Sequence, residues 1–437
     1  MNGQDNHLIF VGTSDISGIL RGKSFPARDE AKRLRRGVGW TPTNVQITCF
    51  DTIAESPFGA LGDLALVPDV STRFRLEEDG DPFDFVLGDI RQLEGEPWEF
   101  CTRSIAKRAI AELHDLCGAV PVAAFEHEFQ IRNAPVRPGD GFGLKGFRDA
   151  RAWSGPYMRA LQAAGCEPDS FMKEYGPSQY EVTVKPRTGV TAADNAAILR
   201  MLTADVLGRF DVLPTFSPIT DPQSVGNGVH LHFSFLDESG EPLTHDPAHP
   251  HGMSRLTRHF TGGVLAHLDQ IIALLAASEI SYLRLTPHRW SAAYNNLGYR
   301  DREASVRICP VSARDPEAVA RQYNIEVRAL DATASPHLAW AAILFAGIQG
   351  IRDEIEPPAP TEEDLSLLEP GELERRGFIR LPQSLEEALA KLNGSKAARS
   401  WFGDAFVDLY TAHKKGEMAA LAGLDWAEKC ERYMAVY

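Results

Sequence analysis

The chain has 437 residues, of which 43% are hydrophobic and 24% charged, with a formal net charge of −15. That length holds two domains, or one large domain with a smaller one attached. The acidic balance excludes a general nucleic-acid partner, and a solvated acidic surface accounts for most of it.

In chain order, the first residues read as short strands and turns. MNGQDNHLIF has no basic n-region and no long apolar run, so no signal peptide is expected. HLIFVGTSDISGILRGKSFPA predicts a hairpin that turns around residues 15–18. Within it, Gly18 to Ser24 imitates a phosphate-binding loop, but the spacer is one residue short and no helix follows. NVQITCFD, ALVPDVSTRF and FDFVLGDI are further strand candidates. The pattern changes at EGEPWEFCTRS, which places a boundary between Pro97 and Arg103 and gives an N-terminal unit over 1–98 and a larger one over 99–437. A helix is predicted over 104–116, capped by Thr102 or Ser104.

Beyond it, the strands VAAFEHEFQI, SQYEVTVK, VHLHFSF, ASVRICP and YNIEVRAL alternate with helical runs over 191–210, 254–277 and 337–352. Several strands alternate polar and apolar residues, which argues for an antiparallel or mixed sheet backed by helices, α+β in class. The most apolar stretch, 262–278, is broken by His267, Asp269 and Gln270, as suits a buried helix and not a membrane span. Residues 353–376 are acidic and proline-rich and read as an exposed loop, with a helical tail from Ser384. Cys49, Cys101, Cys117, Cys166, Cys309 and Cys430 show no CxxC spacing. They read as reduced, mostly buried thiols of a cytoplasmic protein.

The chemistry lies in residue pairs one position apart on strands. Side chains at i and i+2 share a face, so Glu126 with Glu128, His230 with His232, and Glu326 with Arg328 each project together. Glu174 and Glu181 in KEYGPSQYEVTV add two more carboxylates. Five carboxylates, two imidazoles and a guanidinium need neutralising partners. Carboxylates with little sulfur favour Mg²⁺ or Mn²⁺. A zinc hydrolase is the rival reading of H-x-H, weakened by the absence of HExxH. Each pair also has a bland reading: a solvated strand face, two packed histidines, or a cross-strand ion pair. Arg284, Arg302 and Arg307 could hold carboxylate or phosphate oxygens, or could be salt-bridged loop residues.

Taken in order, ExE, E-x6-E with PSQYE, GxGxHxH, SYxRL, R-x4-RICP and ExR resemble the glutamine synthetase family over nearly the whole chain. The N-terminal part resembles that family's small β-grasp domain, through Phe50-Asp51, GDLALVPDVST, GDI and Thr102-Arg103. The resemblance implies two divalent-metal positions. Glu128, Glu174 and Glu181 would hold the one nearer the amino acid; Glu126, His230 and Glu326 would hold the one gripping the nucleotide phosphates. His232 and Ser234 would face ATP and its transferred phosphoryl group. Arg284 and Arg328 would bind the carboxylates of L-glutamate, with Gly226 and His230 lining it. Arg302 and Arg307 would neutralise phosphate. Asp51 would complete a neighbouring subunit's site in a ring-shaped homo-oligomer, expected to be a dodecamer.

The departures from the family pattern concern the amine. Where the family places a flap glutamate over its ammonium site, this chain has Trp290, and Leu283 stands for a basic residue. Val225 and Asn324 replace a family asparagine and arginine. A site that exchanges a carboxylate for a large aromatic suits an organic amine better than ammonium. The expectation is a γ-glutamyl-amine ligase. An ammonia-using glutamine synthetase, a catalytically silent relative and a ligase for another acid are the rivals. No tyrosine stands near Ile379, so no adenylylation is expected there.

Overall fold

The computed structural model describes residues 7–77 and 82–437. Residues 1–6, part of the stretch read for a leader, lie outside them.

The N-terminal unit is a mixed sheet of six strands: β1 (Leu8–Ser14), β2 (Leu20–Pro26), β3 (Val38–Trp40), β4 (Leu64–Pro68), β5 (Phe74–Leu76) and β6 (Phe83–Arg91). β1 and β2 form the expected hairpin, with Ser14 opposite Leu20. Its turn is closed by Asp15, whose carboxylate accepts the Ile19 N–H at 2.9 Å, and by Gly18 at φ +72°. β1 runs parallel to β6 in the middle, giving the order β2-β1-β6-β4-β3. The Gly18–Ser24 segment is thus hairpin turn and strand.

The larger unit is built on nine strands: β7 (Val120–Ile131), β8 (Pro168–Lys173), β9 (Gln179–Val184), β10 (Arg187–Thr188), β11 (Pro214–Thr215), β12 (Val229–Leu236), β13 (Leu297–Tyr299), β14 (Val306–Ile308) and β15 (Ile325–Leu330). The main path is β13-β14-β15-β12-β7-β9-β8, antiparallel throughout except between β13 and β14. The alternation in β7 and β12 decides which face is which. Phe125, His127 and Phe129, with Leu231, Phe233 and Phe235, point into the core. Glu126, Glu128 and His232 point to the open face. Helices Thr191–Gly208, Arg255–Leu275 and Pro336–Arg352 are the predicted ones; the second is capped by Ser254, which accepts the Thr257 N–H. Among the described residues no helix is long and apolar enough to cross a membrane.

Arg103 ties the two sheets together. Its buried guanidinium meets Asp69 and Asp89 from the first sheet and Asp194 from a helix of the second, at 2.8–2.9 Å. Such a charge is tolerated only because every face of it is paired.

Four local expectations are corrected. NVQITCFD forms a 3-10 turn (Pro42–Gln46) followed by a tight loop, because Pro42 sets the turn and Asp51 takes φ +57°. ALVPDVSTRF is split into β4 and β5 by a turn that the Asp69 side chain caps. The helix Thr102–Cys117 starts from Cys101 without a side-chain cap, since the Thr102 hydroxyl donates instead to the Ser14 carbonyl at 2.6 Å. Residues 353–376 are not one loop. They contain the short helix Pro370–Arg375, and buried Thr361 bonds the edge of β13.

Candidate active site

Strand register brings the predicted residues into one row across the open face. Glu181 of β9 lies opposite Glu128 of β7. Glu126 of β7 lies opposite His230 of β12. Glu326 of β15 lies opposite both His232 of β12 and Arg307 of β14. Residues far apart in sequence therefore meet because adjacent strands place paired positions about 5 Å apart.

The row has two halves of different character. In the first, His230 Nδ1 is 2.6 Å from Glu126 and 3.5 Å from Glu326. Arg307 bonds Glu326 at 2.8 Å, and Arg328 pairs with its other oxygen. Burial opposes the charge on Glu326, but Arg328, the two histidines and Arg307 outweigh it and hold the carboxyl well below its usual range. Burial also opposes Glu126, and the hydrogen bond and charge of His230 bring its pKa down. Ligand atoms of Glu126, His232 and Glu326 lie within 4.8 Å of one another, so His232 joins the set able to hold a cation. Asn324 Oδ1 sits 2.9 Å from His232 Nδ1, while its amide nitrogen donates to the Gln322 carbonyl. His232 is thereby turned with Nε2 towards the two carboxylates.

The second half is dominated by carboxylates, and Lys173 offsets the shift of Glu174 only in part. Burial, followed by the charges of Glu126, Glu128 and Glu174, pushes Glu181 up to about 10. Burial and the same neighbours raise Glu174. Glu128 accepts the Gly228 N–H at 2.8 Å and the Gln179 amide at 3.1 Å. Three carboxylates are crowded here, and a divalent charge among them would favour the ionised forms of Glu174 and Glu181. The described residues whose ligand atoms already lie close enough to share one ion are Glu126, His232 and Glu326.

Arg284, Arg307 and Arg328 each keep a buried Nε–H without a partner. Such a group costs free energy unless an acceptor arrives, and carboxylate or phosphate oxygens are the acceptors guanidinium suits. Arg284 is otherwise held by Ser291 and the Leu330 carbonyl. Gly226 leaves the room beside it: a Cβ there would stand 2.1 Å from the Pro218 carbonyl and 3.0 Å from Arg284. A cavity of about 580 Å³ opens beside the row, lined by Glu126, Glu181, His232, Ser234 and Asn324.

Trp290 lies at the rim. Its carbonyl is 3.4 Å from Arg328 Nη2, and its indole is about half exposed. Two predicted residues stand apart from the row. Arg302 is exposed on the loop between β13 and β14. Asp51 is exposed on the first unit, bonded to Arg21 at 3.1 Å. Gln179 and Glu303 are among the residues that the sequence did not single out. Gln179 bridges Glu128, the Gly226 carbonyl and Asn227; its only signal was its place inside PSQYE. Glu303 accepts the backbone N–H groups of His288 and Trp290, at 3.1 and 3.2 Å, and so fixes the rim loop.

Residues 99–433 match the glutamine synthetase catalytic domain, and residues 2–98 match the glutamine synthetase N-terminal domain. The chain belongs to the glutamine synthetase family. It is similar to the γ-glutamylpolyamine synthetase of Streptomyces coelicolor, 30% identical over 97% of this chain and 92% of that one. It is also similar to a glutamine synthetase of Pyrococcus woesei, 29% identical over 91% of this chain and 87% of the other. Among solved structures it resembles a crystal structure described as a novel glutamine synthase homolog, with TM-score 0.91 and 40% identity over the full length of both chains. Family and relatives make this protein an ATP-dependent carbon–nitrogen ligase.

Proposed function

We propose that this glutamine synthetase family member joins the γ-carboxylate of L-glutamate to a primary organic amine, through a γ-glutamyl phosphate, with release of ADP and phosphate. Relatives named for a polyamine and for glutamine are similar to it at nearly the same level, so the choice of nitrogen rests on the site. The observation that carries the reading is Trp290, whose side chain is about half exposed and whose backbone carbonyl accepts from Arg328, at the position where the family places a flap carboxylate.

The residues divide the work. Arg284 and Arg328 take the carboxylates of glutamate on their spare Nε–H groups, with Gly226 alongside. A γ-carboxylate oxygen attacks the γ-phosphorus of ATP as ADP leaves. Arg307, Arg302, His232 and Ser234 face the phosphates and nucleotide. Mg²⁺ or Mn²⁺, held by Glu128, Glu174 and Glu181 on one side and by Glu126, His230 and Glu326 on the other, would neutralise phosphate charge during the in-line transfer. The amine nitrogen then attacks the acyl carbon, phosphate leaves, and the nitrogen gives up a proton. That proton needs a carboxylate. Asp51 of a neighbouring copy is assigned this role, within a ring homo-oligomer, a dodecamer.

The test is glutamate-dependent ADP release with Mg²⁺ or Mn²⁺ across ammonium, methylamine, ethanolamine, isopropylamine, putrescine and aniline. A clear preference for an organic amine supports the reading. A preference for ammonium replaces it with a glutamine synthetase.

A further inference from the structure

Tyr175 follows the metal-site residue Glu174, and nothing in the sequence reading gave it a role. Its ring lies against Trp290, with centroids 5.5 Å apart and planes inclined by 33°. Both rings remain largely exposed, 60% for Tyr175 and 54% for Trp290. Two aromatic rings that touch one another and still face water contribute little to a core. They present a continuous apolar surface to whatever enters beside them.

Both loops are fixed from beneath. Lys173 is a buried lysine whose ammonium donates to the carbonyls of Glu174 and Gly176, at 2.6 and 2.8 Å, on either side of Tyr175. The Glu174 carboxylate accepts the Tyr175 N–H at 2.8 Å, and Gln179 Oε1 accepts the Gly176 N–H at 2.9 Å. Across the gap, His288 and Trp290 have φ of 62° and 53°. Bulky side chains rarely adopt that region, and it persists where surroundings impose it. Glu303 imposes it by accepting both backbone N–H groups, and Arg328 reaches the Trp290 carbonyl. Strain of this kind, spent on holding an exposed indole in place, points to a ligand that uses the indole.

We infer that Tyr175 and Trp290 together form the wall that receives the carbon body of the acceptor amine, with Lys173 as the positioning residue for Tyr175. The inference rests on the proposed ligase reading and narrows its substrate class to primary amines that carry an alkyl or aryl body. The reacting nitrogen points towards Glu174 and Glu128, and the carbon body covers the ring pair. With the centroids 5.5 Å apart nothing fits between the rings, so the body lies along the pair. Ammonium has no carbon to place there and draws nothing from the wall. A second ammonium on a longer amine would gain a cation–π contact with the same rings.

The experiment compares kcat/KM for n-butylamine and benzylamine with that for ammonium, in the full-length protein and in Tyr175→Ala, Trp290→Leu and Lys173→Met. The expected result is a preference for the organic amines that falls about tenfold in Tyr175→Ala and Trp290→Leu, chiefly through amine KM, while glutamate KM stays within about twofold. Lys173→Met lowers the same preference, which a merely structural role would not do. If the unaltered protein prefers organic amines and the three variants lose organic amine and ammonium turnover in equal proportion, the wall is refuted and the ligase reading stands. If the unaltered protein uses only ammonium, the ligase reading itself fails. Should Trp290→Leu not fold, Tyr175→Ala decides alone, since an exposed ring can be removed without a cavity.

Discussion

Glu326 and Glu181 project from the same sheet face with β12 and β7 between their strands, and their carboxyls are shifted in opposite directions. Around Glu326 the fold supplies its own cations, Arg307 and Arg328, with His230 and His232 adjacent. Around Glu181 it supplies only further carboxylates, and burial with their charge lifts it to about 10. One half of the row therefore carries its own counter-charges, whereas the other is left short of them. A protein that needed only stability would not leave the second half so.

The sharpest test of that contrast is Glu128→Ala. Glu128 holds the acidic half to the Gly228 backbone and to Gln179, and its loss should reduce glutamate-dependent ADP release by about 10³-fold or more, read in the coupled assay. The two halves should also part company in stability. Glu326→Ala strands Arg307 and Arg328 in a buried place, at a cost of about 3–5 kcal/mol, visible as a large fall in Tm. Glu181→Gln replaces a carboxyl that is already protonated and should leave the metal-free Tm level or higher. The sign with pH follows. A carboxyl whose folded pKa is raised stabilises the fold below its unfolded value of 4.5, and that stability is lost as pH rises towards about 10. The metal-free protein should therefore lose stability between pH 6 and 9, by at most about 1.4 kcal/mol per pH unit. Mn²⁺ should cancel the slope, and Glu181→Gln should flatten it. An unchanged slope in that variant would assign the titration to another group.

Most of the row was legible because strand periodicity is exact at two residues: one correct strand face delivers both members of each pair. That is why Glu126 with Glu128 and His230 with His232 emerged from the sequence, and why their facing partners followed once register was known. What failed was decided elsewhere. NVQITCFD has strand composition, but the proline before it and the positive φ at Asp51 belong to a turn. Residues 353–376 looked solvated because their prolines and acids mask Thr361, which the edge of β13 recruits. Gln179, Glu303 and Lys173 act on backbone groups distant in sequence or bracket a loop, and no periodicity announces such a task.

The smallest expected effect concerns the better-compensated half and bears on whether it, too, awaits a cation. Asn324 Oδ1 orients His232 while its amide nitrogen is occupied by the Gln322 carbonyl. In Asn324→Ala the ring keeps only the Cys309 sulfur, 3.5 Å from Nδ1, as a neighbour on that side. Outer partners of this kind tune a ligand's affinity more than they stabilise the fold. The variant should bind Mn²⁺ about tenfold more weakly by titration calorimetry, with a stability change below about 1 kcal/mol. Unaltered Mn²⁺ affinity would remove His232 from the ligand set and leave Glu126, His230 and Glu326 to hold the ion, with His232 facing the phosphoryl group alone.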